Sequence, residues 1–377
     1  MTDCLPTIRT PEFLSPPDDL GDGWNVASFS QVGMDPAPVL ELVQLIESRN
    51  DHHIEGMLIV KNGYLVFEKY FPGYGFNWND PGEQGPPVNY GPKTRHYMAS
   101  ESKTITSLLF GIAMDKGLIP SVNEKIGTYY QDDYPDIMQG QKTEITLRHL
   151  LTMSSGLAWD ESPPGTNDAY NLFRASDPIR YILNLRQEYS PGTHFHYNSG
   201  GTNLLGDIIH RSSGMNLREF AREYLFTPLQ ITDFEWKSIR DDHIFASGGL
   251  SLIPRDLAKI GQLCLNQGEW YGRQLISKSW LTESWQSCII PTEFGIGNGY
   301  GYQWWMNDFR NSGKNYQAWF AVGWGEQLMY VFRKEKLVIL FFGSYYFHSP
   351  EIPIHSLVED WLLGSLTCKA LTVSDLN

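Results

Sequence analysis

Two β-hairpin signals, one near each end of the 377-residue chain, constrain the fold most strongly because the residues between them favour helices. The first is the run GMLIVKNGYLVFEKYF (56–71), where Asn62-Gly63 separates two β-rich stretches and tolerates positive φ. The second is QLMYVFRKEKLVILFFG (327–343), which predicts a turn at 333–336. Strands at both ends predict one sheet completed by both termini, with a helical insertion between them.

This pattern predicts an α+β fold in three parts. Residues 1–35, rich in Pro, Gly and Asp, are predicted to form an extended N-terminal arm. Residues 36–99 and 231–377 are predicted to form a mixed α/β domain, and residues 100–230, with helical apolar spacing, an inserted all-helical domain. The insertion begins at Ser100, which is therefore expected at a seam between two parts, where pockets form.

The acidic composition limits the expected partners. The formal net charge is −14, whereas a nucleic acid or an anionic membrane would require a basic face. No apolar run approaches the ~18 residues of a membrane helix, and the N-terminus lacks the pattern of a signal peptide. We therefore expect a cytoplasmic protein, a monomer or homodimer, with no nucleic-acid or membrane partner.

Neither a metal nor another cofactor is expected. The sequence has no HExxH motif, and its four cysteines are scattered without a CxxC pair. The stretch GIGNGYG (295–301) resembles a phosphate-binding loop but lacks the full spacing, and it is interpreted as a turn.

Ser100 and Lys103 form an S-x-x-K motif where the helix SESKTITSLLFG (100–111) is predicted to begin. Residues i and i+3 share a helix face, so Lys103 can reach Ser100. The helix dipole and burial disfavour the ammonium form, and a neutral amine can take the hydroxyl proton as Ser100 attacks a carbonyl. Alternatively, Ser100 only caps the helix and Lys103 is solvated. The motif alone does not exclude this alternative.

A second motif lies in PGTHFHYNSGGTNLLGDII (191–209), which places Tyr197 in a glycine-bounded loop before a predicted helix. The phenol could carry a proton from Ser100 to the leaving group if Lys103 lowers its pKa. Ser199 could hydrogen-bond Lys103 or the leaving group. The alternative is a loop tyrosine packed against the core.

A third motif lies in FAVGWGEQLMYVF (320–332), where Gly323 and Gly325 flank Trp324 at the edge of a late strand. Glycine there would let a substrate approach the backbone, and the Trp324 N–H could stabilise an oxyanion. The alternative is a β-bulge without chemistry. The serine signature G-x-S-x-G is absent, which speaks against an ordinary α/β-hydrolase.

The three motifs in this order resemble the signatures of the serine β-lactamase and penicillin-binding-protein superfamily, specifically its class C-like branch. These signatures are S-x-x-K, Y-x-N or Y-x-S, and a late strand similar to K-T-G. The resemblance as a whole covers roughly residues 36–365. The corresponding residues of this chain are Ser100-Glu101-Ser102-Lys103, Tyr197-Asn198-Ser199 and Ala321-Val322-Gly323.

The resemblance implies a β-lactamase/transpeptidase-like fold, with an antiparallel sheet flanked by helices, an all-helical domain and the active site between them. It also implies an acyl-enzyme on Ser100, with Lys103 and Tyr197 as the acid–base pair and no metal. The backbone N–H groups of Ser100 and Trp324 are the implied oxyanion donors.

Two departures from the family pattern bear on the substrate. The lysine that would meet a β-lactam carboxylate is replaced by Ala321, so efficient β-lactam hydrolysis is not expected. The Tyr197-Asn198-Ser199 form is similar to that of 6-aminohexanoate-dimer hydrolases and family VIII-type carboxylesterases, which cleave short esters and, in some cases, linear amides.

The loop LAWDESPPGTNDAY (157–170) supplies candidate substrate contacts, because family topology implies that it covers the cleft. Trp159 and Tyr170 could cover an acyl or amine chain, and Asp160 could bind an ammonium group. An ordinary surface loop is the alternative for each. Gly323 and Gly325 complete the predicted substrate-binding set.

The sequence and the resemblance together predict a serine hydrolase that acts on a small-molecule ester and on small linear amides. A D-amino-acid peptidase or a weak β-lactamase is the alternative enzyme. A catalytically inactive, penicillin-recognising binding protein is the alternative of another class, although it would not need to retain Ser100, Lys103 and Tyr197 together.

Overall fold

The computed structural model describes residues 15–49, 52–162 and 167–366. Its largest element is an eight-stranded sheet whose strand order is β1-β3-β2-β8-β7-β6-β5-β4. Every neighbouring pair is antiparallel except β1 with β3. The strands are β1 (Asn25–Val26), β2 (Ile54–Lys61), β3 (Tyr64–Tyr70), β4 (Gly299–Tyr300), β5 (Trp305–Asn311), β6 (Lys314–Gly323), β7 (Gln327–Phe332) and β8 (Leu337–Gly343).

Both predicted hairpins are present, and a strand from each hairpin pairs with the other in the middle of the sheet. Asn62 and Gly63 adopt φ values of 54° and 85°, the left-handed conformations that a two-residue hairpin turn needs. Strand β8 pairs with β7 on one side and with β2 on the other. The predicted sheet completed from both ends of the chain is confirmed.

Both faces of the sheet are covered, because successive side chains of a strand point to opposite faces and the central strands are apolar on both. In β2, Met57 and Ile59 face the first helix, whereas Leu58 and Val60 face the helical layer.

The α-helices assigned in the described residues are α1 (Ala37–Glu47), α2 (Ser102–Asp115), α3 (Gly127–Tyr130), α4 (Leu147–Leu151), α5 (Asp168–Arg174), α6 (Pro178–Asn184), α7 (Ser199–Ser213), α8 (Leu217–Ala221), α9 (Pro254–Leu265), α10 (Lys278–Ser284) and α11 (Ile354–Leu357).

Helix α11 is followed by one turn of π-helix over Val358–Leu362 and a 3-10 turn over Gly364–Leu366. Together with α1 it covers one face of the sheet. Helix α9 packs on the other face, beside the helical layer that contains α2 and α7. Sheet and helical layer thus share one core.

A small three-stranded sheet joins the helical layer to the large sheet. Its strands are His96–Tyr97, Leu250–Leu252 and Phe234–Trp236, with Leu250–Leu252 in the centre. Two-stranded pairs join Pro72–Tyr74 to Pro87–Asn89, Ser238–Arg240 to His243–Ile244, and Glu269–Trp270 to Arg273–Gln274. The strand His96–Tyr97 leads directly into Ser100.

The predicted N-terminal arm is only partly described, because residues 1–14 lie outside the described residues. Its later part adds β1 to the sheet edge, and Trp24 is buried with its ring nitrogen donating to the Arg255 carbonyl at 3.0 Å. The three-part domain division stays a prediction. None of the helices in the described parts of the chain has the length and apolar character to cross a membrane.

Candidate active site

Ser100 and Lys103 are in direct contact at the start of α2. The Lys103 Nζ donates to the Ser100 Oγ at 2.7 Å and to the Ser247 carbonyl at 3.1 Å. Helix α2 starts at Ser102, two residues later than expected, because Ala99–Glu101 forms a 3-10 turn. No side-chain cap bond is made at either helix start, so the capping interpretation of Ser100 is not supported.

The turn that carries Ser100 is held in an uncommon backbone conformation. Ala99 has a φ of 45° and is buried. The Ser102 hydroxyl donates back to the Ala99 carbonyl at 2.7 Å, and the Met98 N–H donates to the Leu250 carbonyl at 2.9 Å. These bonds fix the backbone of the turn in which the Ser100 hydroxyl accepts from the Lys103 amine.

Burial makes the Lys103 side chain a base. Lys103 is 2% exposed, and desolvation lowers the pKa of its ammonium group to about 8, against the opposing charge of Glu161. A pKa of about 8 leaves on the order of one tenth of the amine unprotonated at pH 7. The neutral amine can then accept the proton of the Ser100 hydroxyl.

Tyr197 completes the group around Ser100. Its ring centroid lies 4.7 Å from the Lys103 Nζ, and its phenol faces Ser100. Burial, together with the charge of Glu161, raises the pKa of Tyr197 well above its usual value. A lowered pKa was the condition for Tyr197 to act as a proton carrier from Ser100, and burial shifts the pKa in the other direction. The proton-transfer role of Tyr197 stays a prediction, with the protonated phenol as the resting form.

The loop before α7 is fixed by polar contacts that place Tyr197. The Tyr197 backbone N–H donates to the Glu293 carboxylate at 3.1 Å, and the same carboxylate bonds the His196 Nδ1 at 2.9 Å. The Asn198 side chain caps α7 by accepting from the Gly201 N–H at 2.9 Å.

Ser199 points elsewhere than expected. Its hydroxyl donates to the Glu161 carboxylate, and its backbone N–H donates to the same oxygen at 3.0 Å. Among the described residues the Lys103 amine donates to Ser100 and to the Ser247 carbonyl rather than to Ser199. The alternative contact of Ser199 with the leaving group stays a prediction. Asn203 links the two serines by donating to the Ser199 carbonyl at 2.9 Å and to the Ser247 Oγ at 3.0 Å.

The edge of β6 abuts the Ser100 turn, and this contact requires glycine at 323. A Cβ on Gly323 would lie 2.2 Å from the Met98 carbonyl oxygen. A Cβ on Gly325 would lie 2.4 Å from the Tyr346 ring, and its φ is 87°. The missing side chains of the two glycines thus let the Met98 carbonyl and the Tyr346 ring approach the backbone closely. Contact of the substrate with these glycines stays a prediction. Trp324, between them, has its backbone beside the turn.

The predicted loop contacts are only partly near the site. Trp159 is buried against Gly200 of α7, where a Cβ would lie 2.7 Å from its ring, and its contact with substrate stays a prediction. Asp160 is exposed and accepts from the Ser162 N–H at 2.8 Å. Tyr170 lies on α5 with the Arg174 guanidinium 4.0 Å from its ring centroid. Residues 163–166 of this loop lie outside the described residues.

Sequence reasoning missed an aromatic wall beside Trp324. Phe76 packs on Trp324 with a centroid distance of 5.7 Å and on Tyr97 at 4.4 Å, and Trp78 packs on Tyr97 at 4.8 Å. Tyr346 packs on both of these residues, with centroid distances of 5.2 Å to Trp324 and 5.3 Å to Phe76. The signal that could have indicated this wall is the pair of aromatic residues in the stretch FNW at 76–78.

Glu161 and Ser247 were also missed. Glu161 stands next to Asp160, the acid that was predicted instead, and only the loop conformation decides which carboxylate enters the cleft. No group of three or more His, Cys, Asp or Glu residues that could hold a metal occurs in the part of the chain that the structure describes. The site consists of a hydroxyl, an amine and a phenol, with backbone N–H groups beside them.

This arrangement, at the junction of an antiparallel sheet and a helical layer, defines the class of β-lactamase and penicillin-binding-protein folds. The chain belongs to the Beta-lactamase family, which matches it over residues 42–345. Structural similarity agrees: a proposed 6-aminohexanoate-dimer hydrolase from Bacillus anthracis superposes with a TM-score of 0.66 at 24% identity, covering 84% of this chain and 79% of that one.

Two curated relatives are similar at low identity. The 6-aminohexanoate-dimer hydrolase of Paenarthrobacter ureafaciens is 26% identical over 240 residues, which cover 58% of this chain and 59% of the relative. The lovastatin esterase of Penicillium rubens is 26% identical over 188 residues, 46% of this chain and 47% of the relative. The chain thus matches about half of the length of these relatives, and their names describe them alone.

Proposed function

We propose that the protein is a serine hydrolase that cleaves short-chain carboxylic esters through an acyl-enzyme on Ser100, with small linear amides as a second substrate class. The observation that carries this proposal is the 2.7 Å contact between the Lys103 amine and the Ser100 hydroxyl. Because the Lys103 pKa is about 8, the amine can act as a base near neutral pH.

In the proposed reaction the Ser100 Oγ attacks the ester carbonyl while its proton passes to the Lys103 amine. The negative charge that develops on the carbonyl oxygen is stabilised by the backbone N–H groups of Ser100 and Trp324. Tyr197 donates its proton to the departing alkoxide and recovers one from the Lys103 ammonium. Water then attacks the acyl-enzyme, and the same groups transfer protons in the reverse order.

The aromatic wall supports an apolar acyl or alcohol portion in the substrate. Phe76, Trp324 and Tyr346 form a contiguous surface beside the strand edge that carries the proposed oxyanion donor. Aromatic side chains of this kind bind apolar ligand groups through buried area. The names of the two relatives, a 6-aminohexanoate-dimer hydrolase and a lovastatin esterase, support the two proposed substrate classes.

The test is turnover of p-nitrophenyl butyrate by the wild type, Ser100→Ala and Ser279→Ala, an exposed-serine control. We expect wild-type and Ser279→Ala rates to agree and Ser100→Ala to lose at least about 10³-fold in kcat/KM. Mass spectrometry after treatment with a fluorophosphonate should locate one adduct on Ser100. No wild-type turnover together with no adduct would contradict the proposal and favour an inactive binding protein.

Matched substrates separate the finer alternatives. The ratio of kcat/KM for butyryl-p-nitroanilide and p-nitrophenyl butyrate compares an amide with the ester of the same acyl group. Turnover of the 6-aminohexanoate dimer tests a linear amide that has no activated leaving group. Nitrocefin tests the β-lactamase alternative. Because Ala321 and Val322 provide no cation for a β-lactam carboxylate, we expect nitrocefin turnover far below that of the ester.

A further inference from the structure

A carboxylate that sequence reasoning did not select lies inside the cleft. One Glu161 oxygen accepts both the backbone N–H and the hydroxyl of Ser199, at the N-terminus of α7. Glu161 is partly exposed and belongs to the loop that follows α4. Two donors on one oxygen fix the direction of this side chain, so its charge is held at a defined place in the site.

A chain of hydrogen bonds connects Glu161 to the Lys103 amine. Glu161 binds Ser199, whose carbonyl accepts from the Asn203 side chain at 2.9 Å. The Asn203 amide also donates to the Ser247 Oγ at 3.0 Å and accepts from the Ser247 N–H at 3.3 Å. The Ser247 carbonyl then accepts from the Lys103 Nζ at 3.1 Å. The position of the amine is thus coupled to the loop.

Glu161 is also the charge that acts on Lys103. Burial lowers the pKa of Lys103, and Glu161 opposes this shift. Tyr97, Glu101 and Tyr197 lie on adjacent elements, and burial raises the pKa of each, which favours their uncharged forms. Three further acids lie around this group. Asp160 adjoins Glu161 and donates its N–H to the Asp168 carboxylate at 2.6 Å, and Glu293 is paired with His196 at 2.9 Å.

We propose that Glu161 is a positioning residue that sets the charge state of the Lys103 amine while orienting the Ser199 hydroxyl. The inference rests on the proposed function, because it concerns the base of that reaction. Glu161 needs no contact with the substrate for this role: its negative charge stabilises the ammonium form and so fixes the pH range over which Lys103 is a free base.

The test is the pH dependence of kcat/KM for p-nitrophenyl butyrate in the wild type, Glu161→Gln and Ser199→Ala. Removing the charge should move the acidic limb of Glu161→Gln to lower pH by about half a unit or more. Ser199→Ala keeps the charge, so its limb should stay within about 0.2 unit of the wild type. Glu269→Gln, the same change at an exposed glutamate, should leave the whole profile unchanged.

A limb of Glu161→Gln that coincides with the wild type, or an equal shift in Ser199→Ala, would overturn the inference. If Glu161→Gln turns over too slowly, the pH dependence of fluorophosphonate labelling at Ser100 gives the same comparison without catalysis, and thermal unfolding confirms that the variant is folded. Failure of the wild type to label at all would instead contradict the proposed function, so the two failures are distinguishable.

Discussion

Lys103 and Tyr197, the two protonatable side chains around Ser100, are both buried, and burial shifts their pKa values in opposite directions. It lowers the pKa of the Lys103 ammonium and raises the pKa of the Tyr197 phenol, because each shift favours the uncharged form. Near pH 8 about half of the molecules therefore hold a neutral amine beside a neutral phenol. One can accept a proton and the other can donate one, as acyl transfer requires.

Glu101, beside Ser100, has no such role and carries a stability cost. It is fully buried, its carboxyl oxygens lack hydrogen-bond partners among the described residues, and burial raises its pKa well above the usual range. A carboxyl whose folded-state pKa is raised contributes stability below its unfolded pKa of ~4.3, and that contribution is lost as pH rises towards the folded value.

We therefore expect Glu101→Gln, which cannot ionise, to gain stability relative to the wild type as the pH increases. Urea unfolding at pH 5 and pH 8 measures this, and the free-energy difference between variant and wild type should be larger at pH 8. Glu269→Gln, an exposed control, should show no such trend. A difference that is equal at both pH values would show that Glu101 is not protonated in the folded protein.

At the scale of elements, the contact of β6 with the Ser100 turn controls the geometry of the site. Gly323→Ala would place a Cβ 2.2 Å from the Met98 carbonyl, so the strand or the turn must move. We expect at least a tenfold loss of kcat, because displacements near 1 Å cost catalysis strongly, and a destabilisation of about 1–3 kcal/mol from overpacking.

Gly127→Ala is the matched control, because a Cβ on Gly127 has no neighbour within 4 Å and the residue starts α3. This variant should keep full activity and be unchanged or slightly stabilised. Thermal unfolding and steady-state kinetics of both variants test the argument. Full activity in Gly323→Ala would mean that the turn and strand adjust without moving the catalytic groups.

The sequence predicted those elements whose signals are local. Asn62-Gly63 determined a hairpin because both residues tolerate the positive φ that its turn requires, and the S-x-x-K spacing brings Ser100 and Lys103 together within one turn. The contact of Glu161 with Ser199 spans 38 residues, and that of Lys103 with Ser247 spans 144. No local pattern encodes such contacts, which is why both partners were missed.

At the scale of the whole molecule, the site exists only where three separate parts of the chain meet. The 3-10 turn before α2 supplies Ser100, and the first turn of α2 supplies Lys103. The loop before α7 supplies Tyr197, and Trp324 directly follows β6. The large sheet and the helical layer share one core, so the relative placement of these parts is fixed by extensive apolar packing. Local sequence motifs identify the parts, but their mutual distances depend on this packing.

The net charge of −14 gives a prediction at the same scale, because a strongly acidic molecule repels anionic substrates over a distance set by salt. We expect kcat/KM for the mono-anionic ester formed from succinate and p-nitrophenol to rise severalfold between ~10 mM and ~150 mM NaCl. The neutral p-nitrophenyl butyrate should change little. Ala321 in place of a cation, with Glu161 in the cleft, adds local repulsion to the global field. A salt response of the same size for both esters would mean that ionic strength acts on the enzyme itself rather than on the approach of the substrate.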